Sequence, residues 1–101
     1  MILENITILD KELYLLALDS HDGNFKLDDL LKTIRLSRPN FGHKTLRYRV
    51  KQLRKSKLLS KCGLGKNAIY TCLIDRDTFL NAKIIYTEKP IDISKNPFII
   101  T

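Results

Sequence analysis

The sequence contains no tryptophan, only three prolines and four glycines, and two cysteines in 101 residues. Two cysteines are too few for a disulfide framework. No apolar run approaches the roughly 20 residues that cross a bilayer, and the first residues lack the basic and apolar segments of a signal peptide. We therefore expect a cytoplasmic protein that has no membrane partner.

Acidic residues are missing from the middle of the chain. No Asp or Glu lies between Asp29 and Asp75, and residues 30–74 carry twelve of the eighteen Lys and Arg residues. The rest of the chain holds all eleven acids. A domain with one strongly basic block attracts polyanions and releases their counterions on binding. Nucleic acid is therefore the first hypothesis for the partner.

Apolar residues at helical spacing predict three helices, over residues 10–20, 27–36 and 43–56. Thr7 or Asp10 can cap the first of them. At 44% hydrophobic and 29% charged, the composition is that of one globular domain with a modest single core.

Two strands are expected after the third helix, over residues 58–62 and 68–74, joined by a glycine-containing loop at 63–67. A short link at 24–26, between the first two helices, is a candidate for a single β-bridge.

The order helix, helix, turn, basic helix, hairpin over residues 10–74 resembles the winged helix-turn-helix superfamily, and most closely its MarR-like and ArsR-like regulators. Residues 45–59 resemble the recognition helix running into the first wing strand. Residues 63–67 match the wing, and residues 69–72 resemble the returning strand. The resemblance implies an α+β fold of three helices with a C-terminal β-hairpin wing, and a DNA-binding function.

Two features depart from the family pattern. The turn at residues 36–42 is longer than usual, and Lys57 stands where glycine is common. Outside the resemblance, residues 1–9 form an expected N-terminal arm. Residues 75–101 form a C-terminal extension and a candidate dimerisation segment.

The third helix has one apolar and one basic face. At 100° per residue, the apolar side chains lie within about 40° of one direction: Leu46, Val50 and Leu53. The opposite direction holds basic and hydrogen-bonding side chains, with Arg47 and Gln52 at its edges: Lys44, Tyr48, Lys51 and Lys55. Such a helix fits the DNA major groove, where Arg and Lys reach guanine and Gln reaches adenine. A merely solvated basic face is the alternative, and the missing acids argue against it.

The candidate DNA-binding residues lie on this helix, in the turn before it and in the hairpin: Arg38, Asn40, His43, Lys44, Thr45, Arg47, Tyr48, Lys51, Gln52, Lys55, Lys61 and Lys66. Arg47, Tyr48 and Gln52 are the candidates for base contacts.

Arg38, Lys61 and Lys66 are the candidates for phosphate contacts. Solvated lysines in a plain hairpin remain the alternative for Lys61 and Lys66. For Arg38 the alternative is a charge that complements a helix dipole. Tyr48 can contact a phosphate or a thymine methyl group, or merely cover arginine side chains.

Cys62 and Cys72 suggest either a redox pair or part of a metal sensor, but small buried hydrophobic residues are the preferred interpretation. With a loop at 63–67, Cys62 would pair with residue 68 and Cys72 with residue 58. No histidine has a ligand at zinc spacing, and no phosphate loop or nucleophile elbow is present. We expect no metal, no cofactor and no enzymatic activity.

These observations predict a sequence-preferring double-stranded DNA-binding protein, a small transcriptional regulator that acts as a homodimer. The alternatives are a replication or partition protein with weak sequence preference, a protein-interaction winged helix in a larger assembly, and an RNA-binding module. Apolar residues at both ends of the chain, including 79–86 and 98–100, favour a dimer built from the first helix and the C-terminal segment. The alternative is that this segment folds back on its own domain.

Overall fold

The computed structural model describes residues 1–86 as an α+β domain of four helices and five strands. The elements in chain order are β1 (Ile2–Ile6), α1 (Ile8–His21), β2 (Asn24–Phe25), α2 (Leu27–Ile34), α3 (His43–Lys55), β3 (Leu59–Cys62), β4 (Ile69–Cys72), α4 (Arg76–Asn81) and β5 (Lys83–Tyr86). None of these helices has both the length and the apolar character of a membrane span. Residues 87–101 lie outside the described part, so the expected dimer contact of residues 98–100 does too.

Helix α1 begins two residues earlier than its apolar spacing predicts, because Thr7 and Asp10 form a capping box. The Asp10 backbone N–H donates to Thr7 Oγ1 at 2.9 Å, and the Thr7 N–H donates to Asp10 Oδ2 at 3.1 Å. The helix ends where Asp22 and Gly23 adopt left-handed conformations, with φ of 52° and 80°. Gly23 adopts this conformation without steric cost, since it has no Cβ.

Helix α2 ends at Ile34, two residues before the predicted end. The Arg38 N–H donates to the Ile34 carbonyl at 2.9 Å, which closes the chain into a turn. Leu36 is 87% exposed in this turn, so its helical spacing does not lead to burial.

Helix α3 agrees with its predicted bounds to within one residue. Lys57 follows it with φ of 65°, and the Leu58 N–H donates to the Leu53 carbonyl at 3.0 Å. This is the Schellman pattern that ends helices. Lys57 therefore takes the left-handed conformation that glycine adopts most readily.

Three strands form an antiparallel sheet in the order β2-β4-β3. Cys62 pairs with Ile69 and Cys72 with Leu59. The predicted register, 62 with 68 and 72 with 58, is wrong by one residue, because a 3-10 turn at Gly65–Asn67 lengthens the loop. The predicted link at 24–26 is the two-residue strand β2.

The ends of the described chain pair with each other as a two-stranded parallel sheet of β1 and β5. Leu3 and Ile6 of β1 are buried, as is Phe79 of α4. Residues 1–9, expected as an arm, thus form a strand and the start of α1. Residues 75–86 of the expected extension fold back on the domain, as the alternative interpretation anticipated. Dimerisation stays a prediction.

The Tyr14 hydroxyl joins α1 to both ends of the β3–β4 hairpin. It donates to the Leu58 carbonyl at 2.8 Å and accepts from the Ile74 N–H at 3.2 Å. The Tyr14 side chain is buried, with its ring centroid 4.6 Å from that of Phe79. Burial raises the pKa of Tyr14 well above its usual value, so the hydroxyl keeps its proton. One buried phenol thereby sets the position of the hairpin.

Replacing Tyr14 by Phe should lower the free energy of unfolding by about 1–3 kcal/mol. The ring and its contact with Phe79 remain, but the half-buried Ile74 N–H loses its acceptor. Urea unfolding measures the change. Tyr48→Phe, at a side chain 52% exposed, is the matched control and should change stability by less than about 0.5 kcal/mol. Equal stabilities of the two variants would contradict the role assigned to the hydroxyl.

Candidate nucleic-acid interface

Helix α3 and the β3–β4 hairpin face each other across a cleft with a volume of about 470 Å³, which we call the basic cleft. It is lined by Leu27, Lys44, Arg47, Tyr48, Lys51, Arg54, Lys61 and Tyr70. Five of these eight residues are Lys or Arg, and none is an acid. The cleft is therefore concave, and every charged residue that lines it is positive.

The α3 wall follows from the amphipathic pattern of that helix. Leu46, Val50 and Leu53 are at most 2% exposed, and their burial turns Lys44 and Lys51 outward. The sequence pattern alone predicts the outward direction of these two lysines.

The hairpin wall is built on Tyr70. Its ring is buried and stacks on Phe25, with 5.5 Å between the ring centroids. Lys61 pairs with Tyr70 across the sheet, and its Nζ lies 6.0 Å from the Tyr70 ring centroid. The stem of Lys61 is thus supported, and its ammonium group faces the cleft from the side opposite α3.

A second depression of about 390 Å³ continues the cleft toward the 3-10 turn and adds His43 and Lys66 to the lining. Asp28 lies there too, with Oδ1 3.9 Å from His43 Nε2. This carboxylate lies outside the basic cleft proper. The positive surface therefore extends from α3 to the turn of the hairpin, with one acid at its margin.

Two of the twelve bases between residues 30 and 74 are ion-paired within residues 1–86. Arg38 Nε lies 2.7 Å from Glu12 Oε2, and this bond raises the pKa of Arg38. Arg49 Nη1 lies 3.7 Å from the buried Asp10 Oδ2. The other ten form no ion pair with a carboxylate of the described residues, so most of the charge remains available to a ligand.

The structure brings most of the predicted site residues together. Those lining the basic cleft are Lys44, Arg47, Tyr48, Lys51 and Lys61, and those lining the adjoining depression include His43 and Lys66. Lys55 lines a neighbouring depression that it shares with Lys51 and Lys61.

Four predicted residues lie elsewhere. Gln52 lines a depression beside β1, together with Glu4 and Asn5. Arg38 is directed to α1 by its bond to Glu12. Asn40 and Thr45 are exposed but line neither the cleft nor the adjoining depression.

Arg54 is the basic residue of the cleft that was missing from the predicted site. On the α3 helix alone it lies about 80° from Leu46, at the edge of the buried face, so helical periodicity does not distinguish it. It lines the cleft because β3 packs beside the C-terminal half of α3 and closes the wall there. The only sequence feature that could have indicated Arg54 is its position in the acid-free stretch of residues 30–74.

The two cysteines are free thiols in different surroundings. Cys62 is exposed, so the expectation that it is buried is wrong; it occupies the end of β3, next to the loop. Cys72 is half-buried, and burial raises the pKa of its thiol to about 11. Among residues 1–86, no cluster of three or more His, Cys, Asp and Glu side chains could hold a metal ion.

The chain matches no protein-family model, no curated protein and no solved structure. A function must therefore be inferred from the chemistry of the cleft. Its ammonium and guanidinium groups suit phosphates, and its half-exposed tyrosine ring suits nucleobases.

The raised pKa of Cys72 predicts unequal cysteine reactivity. The thiolate is the reactive form, so at pH 8 Cys72 should hold roughly 100-fold less of it than an exposed cysteine. With a chromogenic disulfide reagent, Cys72→Ser, which retains Cys62, should react readily, because Cys62 is exposed. Cys62→Ser should react far more slowly, and its rate should rise with pH up to about 11. Equal rates in the folded variants at pH 8 would contradict the burial of Cys72.

Proposed function

We propose that this chain is a winged helix-turn-helix protein that binds double-stranded DNA with sequence preference and acts as a small transcriptional regulator. The observation that carries the proposal is the acid-free basic cleft between α3 and the β3–β4 hairpin. A polyanion placed there gains charge contacts from both walls and meets no carboxylate in the cleft lining.

The order and pairing of the elements support the winged-helix assignment. α1, β2, α2 and α3 precede a hairpin, and β2 joins that hairpin in a three-stranded sheet of order β2-β4-β3. In this assignment α2, the following turn and α3 form the helix-turn-helix. The β3–β4 hairpin is the wing.

DNA would then lie with its major groove on the outward face of α3. Arg47 and Tyr48 are the proposed base-reading residues, because both are on α3 and line the cleft. Lys61 and Lys66 would contact phosphates from the hairpin, and Arg54 from the C-terminal half of α3. Gln52 lies toward β1, so we place it at the margin of the interface.

Removing three cleft charges should weaken duplex binding strongly. We expect the variant Lys44→Gln, Arg47→Gln and Lys51→Gln to lose about 100-fold or more in affinity near 100 mM salt, since each lost phosphate contact removes counterion release. For the native protein, about four to six contacts predict a slope of log K against log salt of about −4 to −5, and the variant should be shallower by about 2–3.

The matched control replaces Lys32, Lys57 and Lys83 by Gln, which removes the same charge from residues that line neither the cleft nor the apolar depression on α1. It should bind almost as the native protein does. Equal losses in the two variants would mean that net charge, not the cleft, drives binding.

Selection from a random duplex pool should enrich one motif, and no enrichment would reject the claim of sequence preference.

We further propose that the protein acts as a homodimer. A largely apolar depression of about 340 Å³ on α1 is lined by Ile8, Lys11, Glu12, Leu15, Leu16 and Asp19, and Ile8 is 63% exposed. On β5, Ile85 is 45% exposed. The apolar side chains Ile8, Leu15 and Leu16 lie in one depression, and clustered exposed apolar surface favours contacts between proteins. A two-fold dimer can place two α3 helices about 34 Å apart, in successive major grooves.

Sedimentation at micromolar concentration should give twice the monomer mass of 11.7 kDa. Ile8→Glu should shift the protein to monomer and keep the fold, because an acid in the first turn of α1 suits the helix dipole. Leu36→Glu is the control, at a side chain 87% exposed in the α2–α3 turn, and should stay dimeric. A native protein that sediments as a monomer would reject the dimer and leave duplex binding by one protomer intact.

A further inference from the structure

Tyr48 presents an aromatic ring to the basic cleft. Its side chain is 52% exposed, and it lines the cleft with Lys44, Arg47 and Lys51. The guanidinium carbon of Arg49 lies over this ring, 4.6 Å from the ring centroid. One face of the ring is therefore covered by a cation, and about half of the residue's surface stays accessible in the cleft.

Arg49 is held in this position from behind. Its Nη1 lies 3.7 Å from Asp10 Oδ2 and 3.5 Å from Thr7 Oγ1. Asp10 is 1% exposed and belongs to the capping box of α1, so it cannot move without disturbing that helix end. The Arg49 side chain is itself only 21% exposed. The guanidinium group thus backs the Tyr48 ring from a fixed point of the fold.

A backed aromatic ring inside a basic groove is the arrangement that binds nucleobases by stacking. Proteins that bind single strands combine a positive groove, which follows the phosphates, with aromatic rings on which bases stack. A guanidinium group over the second face adds a cation–π contact and restricts the ring. Lys44 and Lys51 line the cleft beside Tyr48 and would contact the phosphates around the stacked base.

An intact duplex offers no free base face on which such a ring could stack. Its bases cover each other's faces, and a protein reaches only their edges in the grooves. We infer that Tyr48 stacks on a nucleobase that has left the duplex stack, so that the preferred ligand of the cleft is duplex DNA with an unpaired nucleotide. This inference depends on the proposed function, because the duplex must first bind along the cleft.

Fluorescence polarisation with three DNA probes tests the inference: an intact duplex, the same duplex with one extra unpaired adenosine nucleotide, and the latter with an abasic site in place of that adenine. The last two probes share their backbone shape and differ in one base. The native protein should bind the adenine bulge roughly 5- to 150-fold more tightly than the abasic bulge, the range expected for one stacked base.

Three variants identify the ring as the cause. Tyr48→Leu should bind both bulged probes equally, whereas Tyr48→Phe, which keeps the ring, should retain the preference. Tyr86→Leu removes a tyrosine that is 38% exposed on β5 and does not line the cleft, and it should behave as the native protein does. With 2-aminopurine as the unpaired base, stacking on the ring should quench its fluorescence with the native protein and not with Tyr48→Leu.

Equal affinity of the native protein for the two bulged probes would overturn the inference, as would an undiminished preference in Tyr48→Leu. If the intact duplex binds in either case, the proposed DNA-binding function survives. A native protein that binds none of the three probes would overturn both proposals.

Discussion

The hydrogen bonds of the Tyr14 hydroxyl are the contact on which the basic cleft depends. They tie the residue before β3 and a residue after β4 to one buried phenol on α1. Leu46 and Val50 of α3 belong to the same hydrophobic core as Tyr14. The two walls of the cleft are therefore positioned by the same helix, and the spacing between them follows from its packing.

Asp10 links the end of a helix to the chemistry of the cleft. One of its carboxylate oxygens accepts the Thr7 N–H in the capping box, and the same oxygen lies 3.7 Å from Arg49. A base in the acid-free stretch is thereby turned inward, against the ring of Tyr48. Of the twelve bases in the stretch, Arg38 and Arg49 are thus ion-paired within the fold, and five others line the cleft.

Local patterns predicted the parts of the molecule that local forces determine. The three main helices, the hairpin and the outward direction of Lys44 and Lys51 all follow from apolar spacing, since burial of one helix face decides the direction of the other. The end of α2 and the hairpin register were wrong by one or two residues. Backbone hydrogen bonds in the turns decided those ends, and apolar spacing carries no information about such bonds.

The amino-acid sequence by itself determined the α+β class, the position of the main helices and the concentration of positive charge between residues 30 and 74. Only the tertiary structure decided that Arg54 and Lys61 share one cleft and that Arg38 and Arg49 are paired away from it. It alone placed β1 beside β5. Spacing along a helix or strand reports on neighbours a few residues apart. Contacts between distant segments depend on how whole helices and strands pack, because a face of a helix or strand is buried only where another element covers it.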